Sequence, residues 1–202
     1  LILVEENDGM ARRQKTNLKT ISFVNIYWKS LKELEDSPVY GVVIANELLD
    51  ALPVERIIYR NKCLYQQGVS IVKKGDDSIL TFIDLPLSEE IIYSLEETCN
   101  SRDLNIPPIG ISDGWSSEWH VGLDDWFSRT SRIINIGALL IIDYSLDAKS
   151  YYNPSRSSGT LLAYRNNTSS SDILRDPGHW DLTAHLCFET LDFYSKKNNF
   201  RF

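Results

Sequence analysis

Cysteine is scarce. Cys63, Cys99 and Cys187 are the three in 202 residues, an odd number at wide spacing. Such a set builds no disulfide framework, and it points to a reducing compartment, the cytoplasm in the first instance. No CxxC pair occurs. His185 and Cys187 alternate like neighbours on one strand face, but two ligands do not make a zinc site, and no metal is expected. Long apolar runs are missing too. The longest wholly apolar stretch lies within residues 138–142, far short of a bilayer span, and no signal-peptide pattern is visible, so membrane insertion is not expected. No Walker loop is present, which leaves P-loop chemistry without support. Positive charge is in deficit: 21 Lys and Arg against 28 Asp and Glu, a net charge of −7. That balance argues against nucleic-acid or anionic-membrane partners. Arg12, Arg13, Lys15 and Lys19 read as the solvated face of a helix. Methionine occurs once, at Met10. The chain opens on Leu1-Ile2-Leu3-Val4 as a strand already under way and stops at Phe202 with no closing strand, so a piece of a longer protein is expected.

What is present is an ordinary globular composition, 43% hydrophobic and 24% charged. Residues 1–4, 21–28 and 39–45 read as strands, the first and third apolar enough to be buried on both faces. Helices come after each of them: one capped by Asn7 or Asp8 and running to residue 18, one over 30–35, and a turn or two over 47–52 stopped by Pro53. That alternation predicts an α/β fold with a mostly parallel sheet. The rhythm then changes. Residues 54–59, 63–73 and 79–84 are strand-like and separated by Arg60-Asn61-Lys62 and Gly75-Asp76-Asp77, both turn chemistry. They predict an antiparallel meander inserted into the α/β core. A helix over 88–100, a loop over 106–117, an amphipathic helix over 123–136, a buried strand over 137–143, a polar loop over 145–158, a strand over 159–164, a loop over 169–178 and a helix over 188–198 complete the reading.

In open parallel sheets, ligands gather beyond the carboxyl ends of the strands. Glu5 stands there, either to accept hydrogen bonds from ribose hydroxyls or to cap the next helix. Glu47 and Asp50, three apart, would share one face of a helical turn. Two carboxylates so placed can receive a guanidinium, orient an amine, hold a metal, or simply cap the turn. Asp143 and Tyr144 end the later buried strand.

These residues resemble the signatures of one family. Ala45-Asn46-Glu47-Leu48-Leu49-Asp50-Ala51-Leu52-Pro53-Val54 is similar to the characteristic segment of the MidA family of S-adenosylmethionine-dependent methyltransferases. Gly137-Ala138-Leu139-Leu140-Ile141-Ile142-Asp143-Tyr144 agrees, as do residues 151–156 with Gly159-Thr160-Leu161. Asp176-Pro177-Gly178, then Asp181-Leu182-Thr183-Ala184-His185 and Phe188, form the fourth block. The resemblance implies a Rossmann-like class I methyltransferase core carrying the inserted meander. It divides the chain into cofactor-side βα units (1–53), an insertion (54–122) and a C-terminal core portion (123–202). It implies S-adenosyl-L-methionine as cofactor, with Glu5, Trp28, Ser30 and Asn46 on the cofactor side. Glu47 and Asp50 become the catalytic pair. Asp143, Tyr144, Arg156, Asp181 and His185 line the substrate side, with a structural ion pair as the other reading for Arg156 and Asp181 and a core histidine for His185.

The family's mitochondrial members are complex I assembly arginine methyltransferases, so the implied partner is a protein substrate, a complex I-type subunit, and the implied compartment becomes the mitochondrial matrix if the protein is organellar. Several departures stand out. The Gly-rich first motif is missing, Ser145 stands where glycine often follows Asp-Tyr, and Asn167 stands where histidine is common. Without the first motif the isolated chain is expected to be inactive. The alternative is a non-catalytic binding or assembly factor on the same fold. Trp115 and Trp119, in the 106–119 loop, suit either partner recognition or core packing. Oligomeric state is not readable from the sequence.

Overall fold

The computed structural model describes residues 1–75 and 77–201. Asp76, the middle of the second expected turn, and Phe202 lie outside the described residues. In chain order the first elements are β1 (Ile2–Val4), α1 (Asp8–Asn17), β2 (Tyr27–Lys29), α2 (Leu31–Asp36), β3 (Val39–Asn46) and a 3-10 turn (Leu49–Ala51). Then come β4 (Glu55–Arg60), β5 (Cys63–Lys74), β6 (Asp77–Leu85), α3 (Glu89–Arg102), β7 (Ser116–Trp119), α4 (Gly122–Ile133) and β8 (Ile134–Ile142). The last are β9 (Ser145–Leu146), α5 (Ala148–Tyr151), β10 (Leu162–Arg165), β11 (Thr168–Ser170), β12 (Asp181–Thr183), β13 (Leu186–Cys187) and α6 (Phe188–Lys197).

The chain divides into two compact units, each discontinuous in sequence: residues 1–44 with 125–140, and residues 45–124 with 141–202. The boundaries fall inside β3, α4 and β8. In the first unit β1 and β2 pair in parallel, Ile2 opposite Tyr27 and Val4 opposite Lys29. The strand expected over 21–28 shrinks to three residues because a ladder extends only as far as its partner, and β1 is three residues long. Asn7 caps α1 by accepting from the backbone N–H of Gly9 and Met10. Ser30 caps α2 in a reciprocal box with Glu33.

The second unit carries the meander. β6, β5, β4 and β7 form one antiparallel sheet in that order. The three expected strands are there, and Asn61 and Lys62, both at positive φ, make the two-residue hairpin turn between β4 and β5. β7 replaces an expected loop. Ser-Ser-Glu-Trp has no strand signature of its own; it becomes a strand because β4 offers a ladder, from Glu55 opposite Trp119 to Ile58 opposite Ser116. Behind this sheet α3 turns Ile91, Leu95 and Thr98 inward. Ile57, Ile91, Leu95, Trp115, Trp119, Tyr151, Tyr152 and Cys187 close one apolar core. Trp115 and Trp119 are 2% and 0% exposed, and the Trp119 indole donates to Ser94 Oγ at 2.8 Å. Of the two readings, core packing is the one the structure forms, and the two indoles join the apolar core between α3 and the meander.

Other expectations change at their edges. α4 stops at Ile133, and residues 134–136 join β8 instead. The polar loop over 145–158 contains β9 and α5, and the loop over 169–178 begins inside β11. β3 and β8 pair with each other but are not buried on both faces: Tyr40, Val42, Ile44, Ile136, Leu140 and Ile142 are all exposed. Parallel pairing is found at β1–β2 and at β9–β13, while β10, β11 and β12 form an antiparallel sheet. The architecture is mixed α/β, with parallel and antiparallel sheets. Among the described residues no helix is long and apolar enough to cross a membrane.

Candidate functional site

In the first unit Glu5 follows β1 directly. Its Oε1 accepts from Asn7 N–H at 2.9 Å and its Oε2 from Gln14 Nε2 at 3.1 Å. Gln14 in turn accepts from the Trp28 indole at 2.9 Å, so one amide links Glu5 to Trp28. A carboxylate has about four lone-pair sites, and two used here leave capacity for two more donors. A ribose diol is a pair of such donors, so Glu5 fits the nucleoside expected beside it. Lys15 lies 5.5 Å from the centre of the Trp28 ring. The Ser30 hydroxyl is engaged with Glu33 as a helix cap.

In the second unit the segment after β3 makes a sharp turn. Asn46 ends the strand and is exposed. Glu47 takes a left-handed backbone, φ +46°, and its N–H donates to Ile142 O at 2.8 Å. Glu47 and Asp50 therefore do not share a helical face; only Leu49–Ala51 form a turn of helix. They are brought to one place by the backbone reversal instead. A non-glycine residue held in this region costs about 1–3 kcal/mol, a strain that recurs where a side chain must be aimed.

Asp143 anchors this turn from across the unit. Its Oδ2 accepts from the N–H of Leu49 at 2.9 Å and of Asp50 at 3.3 Å, and its Oδ1 from Tyr144 N–H at 2.8 Å. From the other side Ala184 N–H donates to Asp50 O at 2.9 Å. Asp50 is buried, and its carboxyl is raised above the ordinary carboxylate range by burial first, then by Asp143, Glu47 and Asp181, with the Ala51 N–H opposing. Hydrogen bonds to a charged group contribute about 1.5–3 kcal/mol each. Asp143→Ala is expected to destabilise the fold by at least one such increment and, by unpinning residues 49–51, to release Asp50. Urea unfolding of the variant checks this; an unchanged midpoint would show that Asp143 is not the anchor.

Glu47, Asp50, Ala51, Tyr144, Tyr164, Asp181, Thr183 and His185 line one cavity of about 440 Å³. That is within the range of small-ligand sites, about 300–1,000 Å³. Tyr144 stacks on His185, ring centres 6.1 Å apart and planes 22° apart. The cavity thus sets three carboxylates against aromatic rings, a lining suited to a flat cation. Arg156 lies elsewhere: it lines a second cavity, polar and serine-rich, with Ser150, Asn153 and Gly159, and its Nε donates to Ser150 O at 3.3 Å. The alternative of an Arg156–Asp181 ion pair is not what the structure forms; Arg156 is held by a backbone carbonyl. Tyr164 and Thr183 line the cavity without having been among the expected site residues. β10 and β12 bring them there; Thr183 stood inside the Asp181–His185 block, while Tyr164 had only its place at the end of an expected strand. Among the described residues no three His, Cys, Asp or Glu side chains converge as metal ligands.

The chain over residues 1–201 matches the protein family described as "Putative S-adenosyl-L-methionine-dependent methyltransferase". It belongs to that family, the MidA type whose signatures it carries, and the family's cofactor is S-adenosylmethionine. Among curated proteins it is 28% identical over 209 residues to the protein arginine methyltransferase NDUFAF7 homolog, mitochondrial, of Caenorhabditis elegans, covering 92% of this chain and 44% of that protein. Two crystal structures from Burkholderia thailandensis share the fold at 24% identity, each over 98% of this chain. One, solved bound to S-adenosyl-homocysteine, has a TM-score of 0.76 and is covered over 47% of its length. The other, a native structure of an uncharacterized member of the same superfamily, has a TM-score of 0.79 and is covered over 50%. The chain spans about half the length of these relatives.

Proposed function

We propose that the protein containing this chain transfers a methyl group from S-adenosylmethionine to a guanidinium nitrogen of an arginine in a partner protein, the sulfur–methyl bond breaking as the nitrogen–methyl bond forms, with S-adenosylhomocysteine and one proton released. The observation that carries the substrate side is the meeting of Glu47, Asp50 and Asp181 with Tyr144, Tyr164 and His185 in one cavity. A guanidinium is planar, cationic and rich in donors, and it matches paired carboxylates between aromatic faces. The family membership supports the cofactor, and the name of the nematode relative supports arginine as the acceptor. The MidA resemblance supports a respiratory complex I-type subunit as the partner. Three free thiols suit a reducing compartment, the cytoplasm or the mitochondrial matrix.

Glu5 and Trp28 would hold the nucleoside, with Ser30 after β2 beside them. When bound, S-adenosylmethionine supplies an electrophilic methyl group on a good leaving group. The work left to this chain is alignment and exclusion of water. Glu47 and Asp50 orient the guanidinium and keep its positive charge on the nitrogens that do not attack. Asp143 acts through them, by holding the turn that carries Asp50.

Calorimetric titration of S-adenosylmethionine into the full-length protein, beside its Glu5→Ala variant, tests the cofactor half. Loss of a hydrogen-bonding carboxylate should weaken binding about ten- to a hundredfold. Absence of binding by the folded wild type would overturn the enzyme reading in favour of a non-catalytic assembly factor. Binding indifferent to Glu5 would overturn the placement of the nucleoside.

A further inference from the structure

We propose that Glu118 is a positioning residue for the substrate cavity, acting on His185 through two separate hydrogen-bonded arms, Thr160 on one side and Tyr151 with His120 on the other. This rests on the arginine-methylation reading above only for what the cavity binds.

Glu118 sits on β7 at 0% exposure. Arg56 stands opposite it in the β4–β7 ladder and contributes favourable charge, yet its Nη2 donates to Ser116 Oγ and Ser158 O rather than to the carboxylate. A buried carboxylate without a direct ion pair is costly, so its remaining partners matter. Its Oε2 collects them: Thr160 N–H at 2.8 Å, the Thr160 hydroxyl at 3.1 Å and the Tyr151 hydroxyl at 3.5 Å.

Both arms end on the same peptide. Since the Thr160 hydroxyl gives its proton to Glu118, its lone pairs face outward, and it accepts from His185 N–H at 3.1 Å. On the other side His120 Nε2 is 2.9 Å from His185 O, and a carbonyl only accepts, so Nε2 carries the proton. Burial holds the His120 ring neutral, pulled down to about 4, against the opposing pull of His185 O and Asp143. The Tyr151 hydroxyl, whose own proton goes to Glu118, lies 3.4 Å from the same Nε2 and accepts the longer, weaker branch of the one N–H that His185 O also takes. The N–H and C=O of His185 are thus both tied back to one carboxylate, and chained hydrogen bonds of this kind polarise and stiffen one another.

The consequence reaches the cavity because the residues flanking His185 are stitched to its two walls. Ala184 N–H holds Asp50 O at 2.9 Å, and Leu186 N–H holds Tyr144 O at 2.8 Å. Residues 184–186 are therefore the spacer between the Asp50 turn and Tyr144, and whatever fixes His185 sets the width of that gap.

The test compares Thr160→Val, Thr160→Ser and Tyr151→Phe in the full-length protein. Three quantities are read: exchange of the His185 amide hydrogen, KM against kcat on an arginine-containing peptide, and affinity for S-adenosylmethionine. With Thr160→Val the His185 amide is expected to exchange about tenfold faster and KM for the peptide to rise about tenfold, with cofactor affinity unchanged. Thr160→Ser, which keeps the hydroxyl, should restore both. Tyr151→Phe should raise KM less, through the second arm. Should Thr160→Val fail to fold, Thr160→Ser and Tyr151→Phe still decide: a Tyr151→Phe protein with wild-type KM and wild-type His185 exchange overturns the proposal. So does a Thr160→Val protein that loses peptide and cofactor binding together, since that is general loss of structure. If no arginine peptide is methylated by the wild type, the methylation reading fails on its own, while the His185 exchange rates in the variants still decide whether Glu118 positions that peptide.

Discussion

Asp50→Asn is expected to lower kcat/KM for arginine methylation about a hundredfold or more while raising the melting temperature at neutral pH. The first half comes from the loss of one charged partner in a desolvated pair, which costs about 2–5 kcal/mol. The second half comes from linkage. The Asp50 carboxyl is raised by burial and by Asp143, Glu47 and Asp181. A raised acid holds its proton more tightly in the folded chain than in the unfolded one. Its contribution to folding is therefore most favourable below the ordinary carboxylate range, and it is lost as the pH climbs through the raised value. Asparagine cannot ionise and escapes that loss. The stability gain should be present at about pH 7 and vanish near pH 3, where the wild-type carboxyl is protonated as well. Opposite signs for activity and stability are the mark of a group kept for function. Thermal unfolding across pH, alongside mass-spectrometric assay of a methylated arginine peptide, reads both. A variant as active as the wild type would remove Asp50 from the substrate pair; a variant less stable at neutral pH would show that its environment favours the charge.

The second large effect concerns Gly159→Ala, which should destabilise the fold by about 2–5 kcal/mol, the sum of a left-handed backbone penalty and overpacking. Gly159 has φ +73°, and a Cβ there would overlap Glu118 Oε1 and lie 2.6 Å from Oε2. Oε2 is held by Thr160 and Tyr151, and Oε1, buried on the same rigid carboxylate, can move only with it. Gly178 supplies the control. Its φ is +81°, but nothing lies within 4 Å of its added Cβ. Gly178→Ala should cost only the backbone share, about 1–2 kcal/mol. Urea unfolding of both separates the two contributions, and equal losses would show that the contact with Glu118 contributes nothing.

Much of this was legible in the residues themselves. The meander was readable because β-branched and apolar residues alternate between turn residues, and Asn61-Lys62 forms the kind of tight reversal that two positive-φ residues make. Asn7, offered with Asp8 as the cap of the first helix, was readable because an N-cap needs only a short acceptor side chain beside the first turn. Family membership was carried by four short blocks. Those blocks also named most of the cavity: Glu47, Asp50, Tyr144, Asp181 and His185 all line it. Local chemistry and short-range pattern are what one-dimensional sequence can encode.

The rest depended on partners distant in the chain. Ser-Ser-Glu-Trp became β7 only because β4 was there to pair with it. Trp115 and Trp119 look the same in sequence whether they face solvent or core, and burial by α3 and α5 decided it. Glu47 and Asp50 converge through a left-handed residue and an Asp143 anchor 94 positions from Leu49, not through the helical spacing that first paired them. Glu118 left no signal, since a glutamate in a polar stretch reads as surface. Residue identity and near-neighbour pattern were thus enough for the family, the helix caps, the hairpins and the acids that could meet a cation. Folding in three dimensions was needed to settle which acids meet and which of them has its carboxyl raised by burial, because each is set by long-range contacts and the desolvation they impose.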